Sequence, residues 1–251
     1  MPAGVAPMSA ADDDLPAYLS RYYGWAYLHP NAVRFFDRRW VLNLILLGNY
    51  GRLCDAALDA MGGLVDQRVL QIACVYGDLT PCLAARLEGS SSLDVVDVAR
   101  IQLDNLQRKL TGDLPVRLRR ENACRLRFSD GHFDKTLLFF LLHEQPEEVR
   151  RATLAEAVRV TRPGGRVIIV DYHLPRRCNV VRYLMAAVLK MLEPFAMDLW
   201  RREIRDYLPA TGGSMAISKR TFFADLYQIV SVEPESAAGA AGRAEFPGAV
   251  P

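Results

Sequence analysis

Side chains able to do acid–base or metal chemistry stand where the apolar runs of this sequence end. Tyr76 and Asp78 follow "RVLQIACV", His143 follows "FDKTLLFFLL", and Asp171 and His173 follow "RVIIV". A phenol, carboxylates and imidazoles can move protons near neutral pH. Carboxylate oxygen with imidazole nitrogen also suits a divalent metal of modest geometric demand. Tyr76, Asp78 and His143 are the catalytic candidates, and Asp78, His143 and Asp171 the metal-binding ones. Each has an alternative. Asp78 either binds metal or caps the helix after it, and His143 is either catalytic or hydrogen-bonded to a neighbouring loop. Asp171 either ligates or shapes a substrate mouth. His173, just before Pro175, turns outward in one reading, and His132 and Asp134 sit at the opposite edge as structural residues. Cys74 and Cys124 read as small buried residues.

The elements that must position these groups are legible from periodicity. Short Val/Ile/Leu-rich runs, "RVLQIA", "SLDVVDV", "PVRLR", "FDKTLLFF", "RVIIVDY" and "YQIVSVE", alternate with helical patterns such as "ARIQLDNLQRKL" and "PEEVRRATLAEAVRVT". That alternation predicts βαβ units, a mainly parallel sheet and an α/β, Rossmann-like fold with helices on both faces. In such a sheet ligands bind beyond the carboxyl ends of the strands. Here those ends are residues 74–78, Asp97, Asn122 with Ala123, Phe139 to His143, and Asp171 to His173. A strand that feeds a nucleotide-like ligand normally has glycines in the turn after it. The first two expected glycines are Ala73 and Val75, and only Gly77 remains.

The rest of the chain bounds the reading. Its 251 residues suit one domain, placed at 17–233, and a net charge of +2 without interleaved aromatics argues against a nucleic-acid surface. Five cysteines without a CxxC pair indicate neither a disulfide framework nor zinc, and fit a reducing cytoplasmic compartment. "MPAGVAPMSAADDDLP" lacks signal-peptide features and reads as a disordered leader (1–16), and the Ala/Gly-rich end as a disordered tail (234–251). Residues 40–61 form a helical pattern with a broad apolar face, and the Pro-Gly-Gly at 163–165 ends the helix before "RVIIVDY". A helical, Arg- and Met-rich insertion occupies 174–215. Its apolar positions Val181, Leu184, Met185, Val188, Leu189 and Leu192 suit a lid over an apolar ligand, an interfacial helix, or plain cover. Tyr18, Tyr22, Tyr23, Trp25 and Tyr27 belong to the same cover or to ordinary core. His29 is solvent-facing or capping. The sheet reads as one strand short at its far edge, leaving that edge to the leader or to a partner, a homo-oligomer included.

Over residues 66–173 the sequence resembles the class I S-adenosylmethionine-dependent methyltransferases, through "VLQIACVYGD", Asp97 placed 20 positions after Gly77, "ENACRLRFSDGHFD" and "LLHEQPEEVRRATLAEAVRVTRPGGRVIIVD". Within that superfamily it is most like quinone-biosynthesis methyltransferases. The resemblance implies S-adenosylmethionine held by Gln71, Ala73, Val75, Tyr76, Gly77, Asp97, Val98, Asn122, Ala123 and Phe139. Asp97 would take the ribose hydroxyls and Asn122 would lie beside adenine. The departures are Gln71 for an acid, Ala73 and Val75 for glycines, and Asn122 for Asp. With "YLSRYYGWAYLHP" and "VLNLILLGNYGRL" they resemble the rhodoquinone-biosynthesis proteins of purple bacteria. That narrower likeness implies replacement of a ubiquinone ring methoxy group by an amino group, S-adenosylmethionine as amino donor, manganese as metal, and peripheral association with the inner membrane. On this view the nucleoside stays anchored while the methionine end is moved. Quinone methylation and a non-catalytic scaffold are the alternatives. A nicotinamide oxidoreductase ranks last, because it needs the same missing glycines and a Tyr-xxx-Lys pair is absent.

Overall fold

The Val/Ile/Leu runs become the middle of a seven-stranded sheet. In chain order its strands are β1 (Arg68–Ile72), β2 (Ser92–Asp97), β3 (Val116–Arg120), β4 (Phe133–Phe139), β5 (Thr161–Tyr172), β6 (Met215–Phe222) and β7 (Tyr227–Pro234). They lie in the order β3-β2-β1-β4-β5-β7-β6. The first five pair in parallel, and β7 runs antiparallel to β5 and β6. The computed structural model describes residues 15–210 and 215–235. Val69, Leu70, Ile72, Leu137, Leu138 and Ile168 are wholly buried, because helices cover both faces of the central strands. Strand order reverses between β1 and β4, which opens a crevice at their carboxyl ends.

The helices are α1 (Pro30–Phe36), α2 (Arg39–Ile45), α3 (Tyr50–Met61), α4 (Leu79–Ala84), α5 (Arg100–Lys109), α6 (Glu147–Val160) and α7 (Val181–Leu192), with shorter turns between them. Three expectations change. The helical pattern from 40 to 61 is broken, since Leu47 (φ 52) and Gly48 (φ 78) turn the chain between α2 and α3. The Pro-Gly-Gly lies inside β5 rather than before it, at the irregularity opposite Phe133 and Lys135. Gly165 is needed there because a Cβ would stand 2.6 Å from the Asp134 carbonyl oxygen. The sheet is not a strand short, because β6 pairs along β7 from Met215 opposite Pro234 to Phe222 opposite Tyr227. Apart from Leu15–Pro16 and Pro234–Glu235, the leader and tail expected to be disordered lie outside the described residues.

Residues 15–45 and the insertion roof the crevice together. Tyr18 and Tyr22 pack edge-on against Phe195, just beyond α7. A fully buried Arg150 on α6 ties the insertion to the loop after β4. Its guanidinium donates to the carbonyls of Leu142 (2.9 Å), Gln145 (2.9 Å) and Phe195 (3.0 Å), and lies 4.8 Å from the centre of the Tyr207 ring. Removing it strands three acceptors, two of them fully buried. Arg150→Met is therefore expected to lower the unfolding free energy by about 3 kcal/mol, and to expose the insertion to proteolysis before the sheet. Urea unfolding and timed digestion check this.

Candidate active site

The loop after β1 keeps the backbone of a glycine turn without the glycine. Ala73 holds φ +72, a conformation costly for any residue with a Cβ. Its N–H donates to the Val96 carbonyl at 2.8 Å, locking the turn to β2. The next amide, Cys74 N–H, donates to Asp97 Oδ2 at 2.7 Å, and Asp97 Oδ1 accepts from Ala99 N–H at 2.8 Å. Asp97 thus stitches the ends of β1 and β2 together. Burial pushes its carboxyl up to about 6, against the pull of these donors.

Tyr76 is a post for the roof. Its hydroxyl donates to the Ala26 carbonyl and accepts from Gln102 Nε2, both at 2.9 Å. Its ring stacks on Tyr27, with centroids 5.6 Å apart and planes 9° from parallel. Burial raises its phenol above the ordinary range, so it holds its proton rather than acting as a base. Gly77 cannot be replaced, since a Cβ there would fall 2.2 Å from the Tyr50 hydroxyl. Asp78 does neither of the things expected of it. It pairs with Arg39 at 3.0 Å and accepts from the Tyr50 hydroxyl at 2.9 Å, makes no side-chain cap on α4, and does not line the cavity.

That cavity, about 580 Å³, opens over the carboxyl ends of β1, β2 and β4. Ala73, Val75 and Tyr76 line it from the first loop, Asp97 and Val98 from the second, and Asn122, Ala123 and Phe139 from beyond. Two residues expected to hold a cofactor do not reach it. Gly77 points toward α3. Gln71 is wholly buried beneath the turn, its Nε2 donating to the Ala73 carbonyl at 3.0 Å and its Oε1 left without a partner.

At the other end Asp171, 0% exposed, gathers donors around one carboxylate. It accepts from the backbone of Leu142 (2.9 Å), His143 (3.3 Å) and Tyr172 (2.7 Å), and pairs with His143 Nδ1 at 2.9 Å. Burial opposes charge on His143, but the Asp171 carboxylate outweighs it and the imidazole is pushed up to about 9. His143 Nε2 lies 3.7 Å from Glu144 Oε1, which also takes the Tyr27 hydroxyl. Burial drives Glu144 upward against the pull of His143, and it drives Glu193 upward as well. Glu193 and the Tyr23 hydroxyl are buried beside each other, and among the described residues neither Glu193 Oε2 nor that hydroxyl has another partner. His143, Glu144, Glu193, Tyr23 and Tyr27 all line the cavity.

Glu144 and Glu193 were missed by sequence reasoning. The available signals were an acid beside His143 in "LLHEQ" and a lone acid in the apolar "KMLEPF". The metal set Asp78, His143 and Asp171 does not assemble. Asp78 belongs to the Arg39 pair and Asp171 is saturated by N–H donors, and among the described residues His, Cys, Asp and Glu form no group of three or more able to hold a metal. Manganese has no fitting donors here. His173 faces Asp225 and Lys219 on the hairpin side, and His29 caps α1 by accepting from Asn31 N–H. His132 stacks on Phe128 and Asp134 pairs with Arg162, as structural residues.

His143 binds its proton more tightly folded, at about 9, than unfolded, near 6.5. The stability it contributes is therefore complete below about 6.5 and lost as pH rises through about 9. Glu144, also raised, slopes the same way at lower pH. Melting temperature is expected to fall across that window, and Asp171→Asn to flatten the fall. Thermal unfolding at stepped pH measures both.

Residues 69–165 match the family model described as "Methyltransferase domain". The chain is 29% identical over 136 residues to the demethylmenaquinone methyltransferase of Lactiplantibacillus plantarum, covering 53% of this chain and 56% of that protein. To the demethylmenaquinone methyltransferase of Beutenbergia cavernae it is 34% identical over 128 residues, covering 48% and 47%. The chain thus spans about half the length of the curated relatives it matches. Among solved structures, a SAM-dependent methyltransferase from Aquifex aeolicus superposes with TM-score 0.53 at 15% identity, over 81% of this chain and 97% of that one.

Proposed function

We propose that this chain, which has the class I S-adenosylmethionine-dependent methyltransferase fold and quinone methyltransferases among its relatives, is a transferase that modifies the ring of a lipophilic quinone. One cavity carries this reading. It joins a nucleoside-sized end at Asp97 to a roofed apolar end where His143 and Glu144 meet. The first end fits S-adenosylmethionine. Asp97 has lone pairs left for ribose hydroxyls, Asn122 keeps its Nδ2 donors for adenine while its Oδ1 accepts from Cys124 N–H at 2.9 Å, and Val98, Ala123 and Phe139 supply walls. Bound there, the cofactor supplies an activated methyl group and an amine.

The finer reading is amination, in which a ring methoxy group of ubiquinone is replaced by an amino group to give rhodoquinone. Balanced, the replacement forms one ring C–N bond, breaks the ring C–O bond with the methoxide leaving as methanol, and breaks the nitrogen's bond to its donor carbon. Glu144, whose carboxyl burial raises to about 8, is placed to carry the proton from the incoming amine to the methoxide. Glu193, whose carboxyl burial also raises, lies on the same wall beside Tyr23 as a second group able to hold a proton. His143, held cationic by Asp171, offers Nε2–H to a ring carbonyl oxygen as charge builds on it. Val75 and Tyr76 occupy the loop where glycine backbone would otherwise approach the methionine end. Manganese has no part in this chemistry, because among the described residues its donors do not come together. Methylation is the second reading, favoured by the two demethylmenaquinone methyltransferases to which the chain is similar.

The deciding assay supplies ubiquinone with S-adenosylmethionine labelled separately at the methyl carbon and at the amino nitrogen. Nitrogen label in the quinone supports amination, methyl label supports methylation, and neither would overturn both. Glu144→Gln is expected to cut turnover by about a hundredfold while cofactor affinity, read by calorimetry, stays within about threefold.

A further inference from the structure

Both segments that roof the cavity expose apolar side chains on their outer sides. Along α7 and its cap, Val180, Leu184 and Met191 are 80%, 58% and 75% exposed, and with the exposed Ala187 they form one stripe at helical spacing. The opposite face is core, with Met185 and Leu189 only 4% and 1% exposed. A helix apolar all round needs cover on both faces, and here one face is bare. In the N-terminal roof Trp25, Phe35, Trp40, Leu44 and Ile45 are 57%, 44%, 57%, 69% and 42% exposed. The aromatic rings among them are contiguous through Phe36: ring centres lie 5.9 Å apart for Phe35 and Trp40, 5.3 Å for Phe35 and Phe36, and 5.7 Å for Phe36 and Trp25. The two patches meet at the opening, because Trp25, Leu44, Ile45 and Leu184 also line the cavity.

Charge on residues 17–45 and 177–193, the parts that bear these patches, has one sign outside. Arg21, Arg34, Arg38, Arg177 and Lys190 are exposed. The acids in 17–45 and 177–193 are Asp37 and Glu193. Asp37 is held by Lys109 at 2.6 Å, and Glu193 faces the cavity. We infer that this rim docks on an anionic lipid bilayer, with the tryptophans and the outer stripe of α7 seated at headgroup level and the cavity opening toward the acyl chains. Aromatic and aliphatic side chains supply the partitioning, and the exposed cations supply attraction to negative headgroups. A second copy of the chain fits less well, since a two-fold contact would bring the same cations together without exposed acids to meet them. Among the described residues no helix is long and apolar enough to cross a membrane, so the contact is peripheral.

The surface stands on its own geometry, and its test reads no turnover, so its failure and that of the proposed function are separable. The full chain is sedimented with sucrose-loaded vesicles of phosphatidylcholine alone or with added phosphatidylglycerol. Binding is expected to the anionic vesicles, weakened about tenfold or more by neutral lipid or high salt. Trp40→Glu with Met191→Glu should lower it at least about tenfold at unchanged melting temperature, and Arg34→Glu with Arg38→Glu should erase the preference for anionic lipid. As a readout needing no variant, anionic vesicles should shift the tryptophan emission of the unaltered protein to the blue. Failure to sediment with either vesicle, or full retention by the Trp40/Met191 variant, overturns the inference. A concentration-dependent dimer that this variant dissociates overturns it in favour of self-association.

Discussion

The site depends on one buried carboxylate. Asp171 ends β5 with no exposure to solvent, and a charge so placed is tolerated only if donors surround it. Three backbone amides and the His143 ring do so, and in the process they bend the chain after β4 back over the strand ends. Phe140 is left at φ 52, a strained value that the surrounding contacts must hold. Because that loop is fixed, His143 and Glu144 face into the cavity. Because it is fixed, Arg150 also finds the Leu142 and Gln145 carbonyls and can carry the insertion through Phe195. Chemistry and roof hang from the same knot.

The other end shows how a nucleotide turn survives the loss of its glycines. Ala73 keeps the left-handed backbone, and the amides around it remain satisfied by Val96 and Asp97. What changes is outside the turn. Tyr76, where a smaller residue would leave the loop free, stacks on Tyr27 and Phe36 and bonds to Ala26, so loop and roof form one body. Gln71 has become a strut under Ala73 rather than a contact for a ligand.

Much of this was legible in the sequence, for physical reasons. Strands buried on both faces announce themselves as apolar runs, so β1, β2, β4 and β5 and the positions at their carboxyl ends could be read directly. Asp97 and His143 followed from that. Less legible was anything made by contacts between distant segments. Glu144 and Glu193 lie 49 positions apart with no motif between them, and only α7 brings the second over the first. Asp78 looked like chemistry because its partners Arg39 and Tyr50 come from helices whose placement no periodicity gives. Strand β6 was missed because six of its eight residues are exposed, and "MAISKRTF" carries no buried alternation.

The roof has one further consequence, in time rather than space. Beside its local aromatic pairs, the N-terminal segment is held by residues far along the chain: Ala26 by Tyr76 across 50 positions, Tyr27 by Glu144 across 117, and Tyr22 by Phe195. Closing loops over such separations costs entropy, so this roof is expected to dock after the strands it covers have paired. The cavity is thus closed by side-chain contacts rather than by the strand ladder, so parting the roof would admit an apolar ligand without unpairing the sheet.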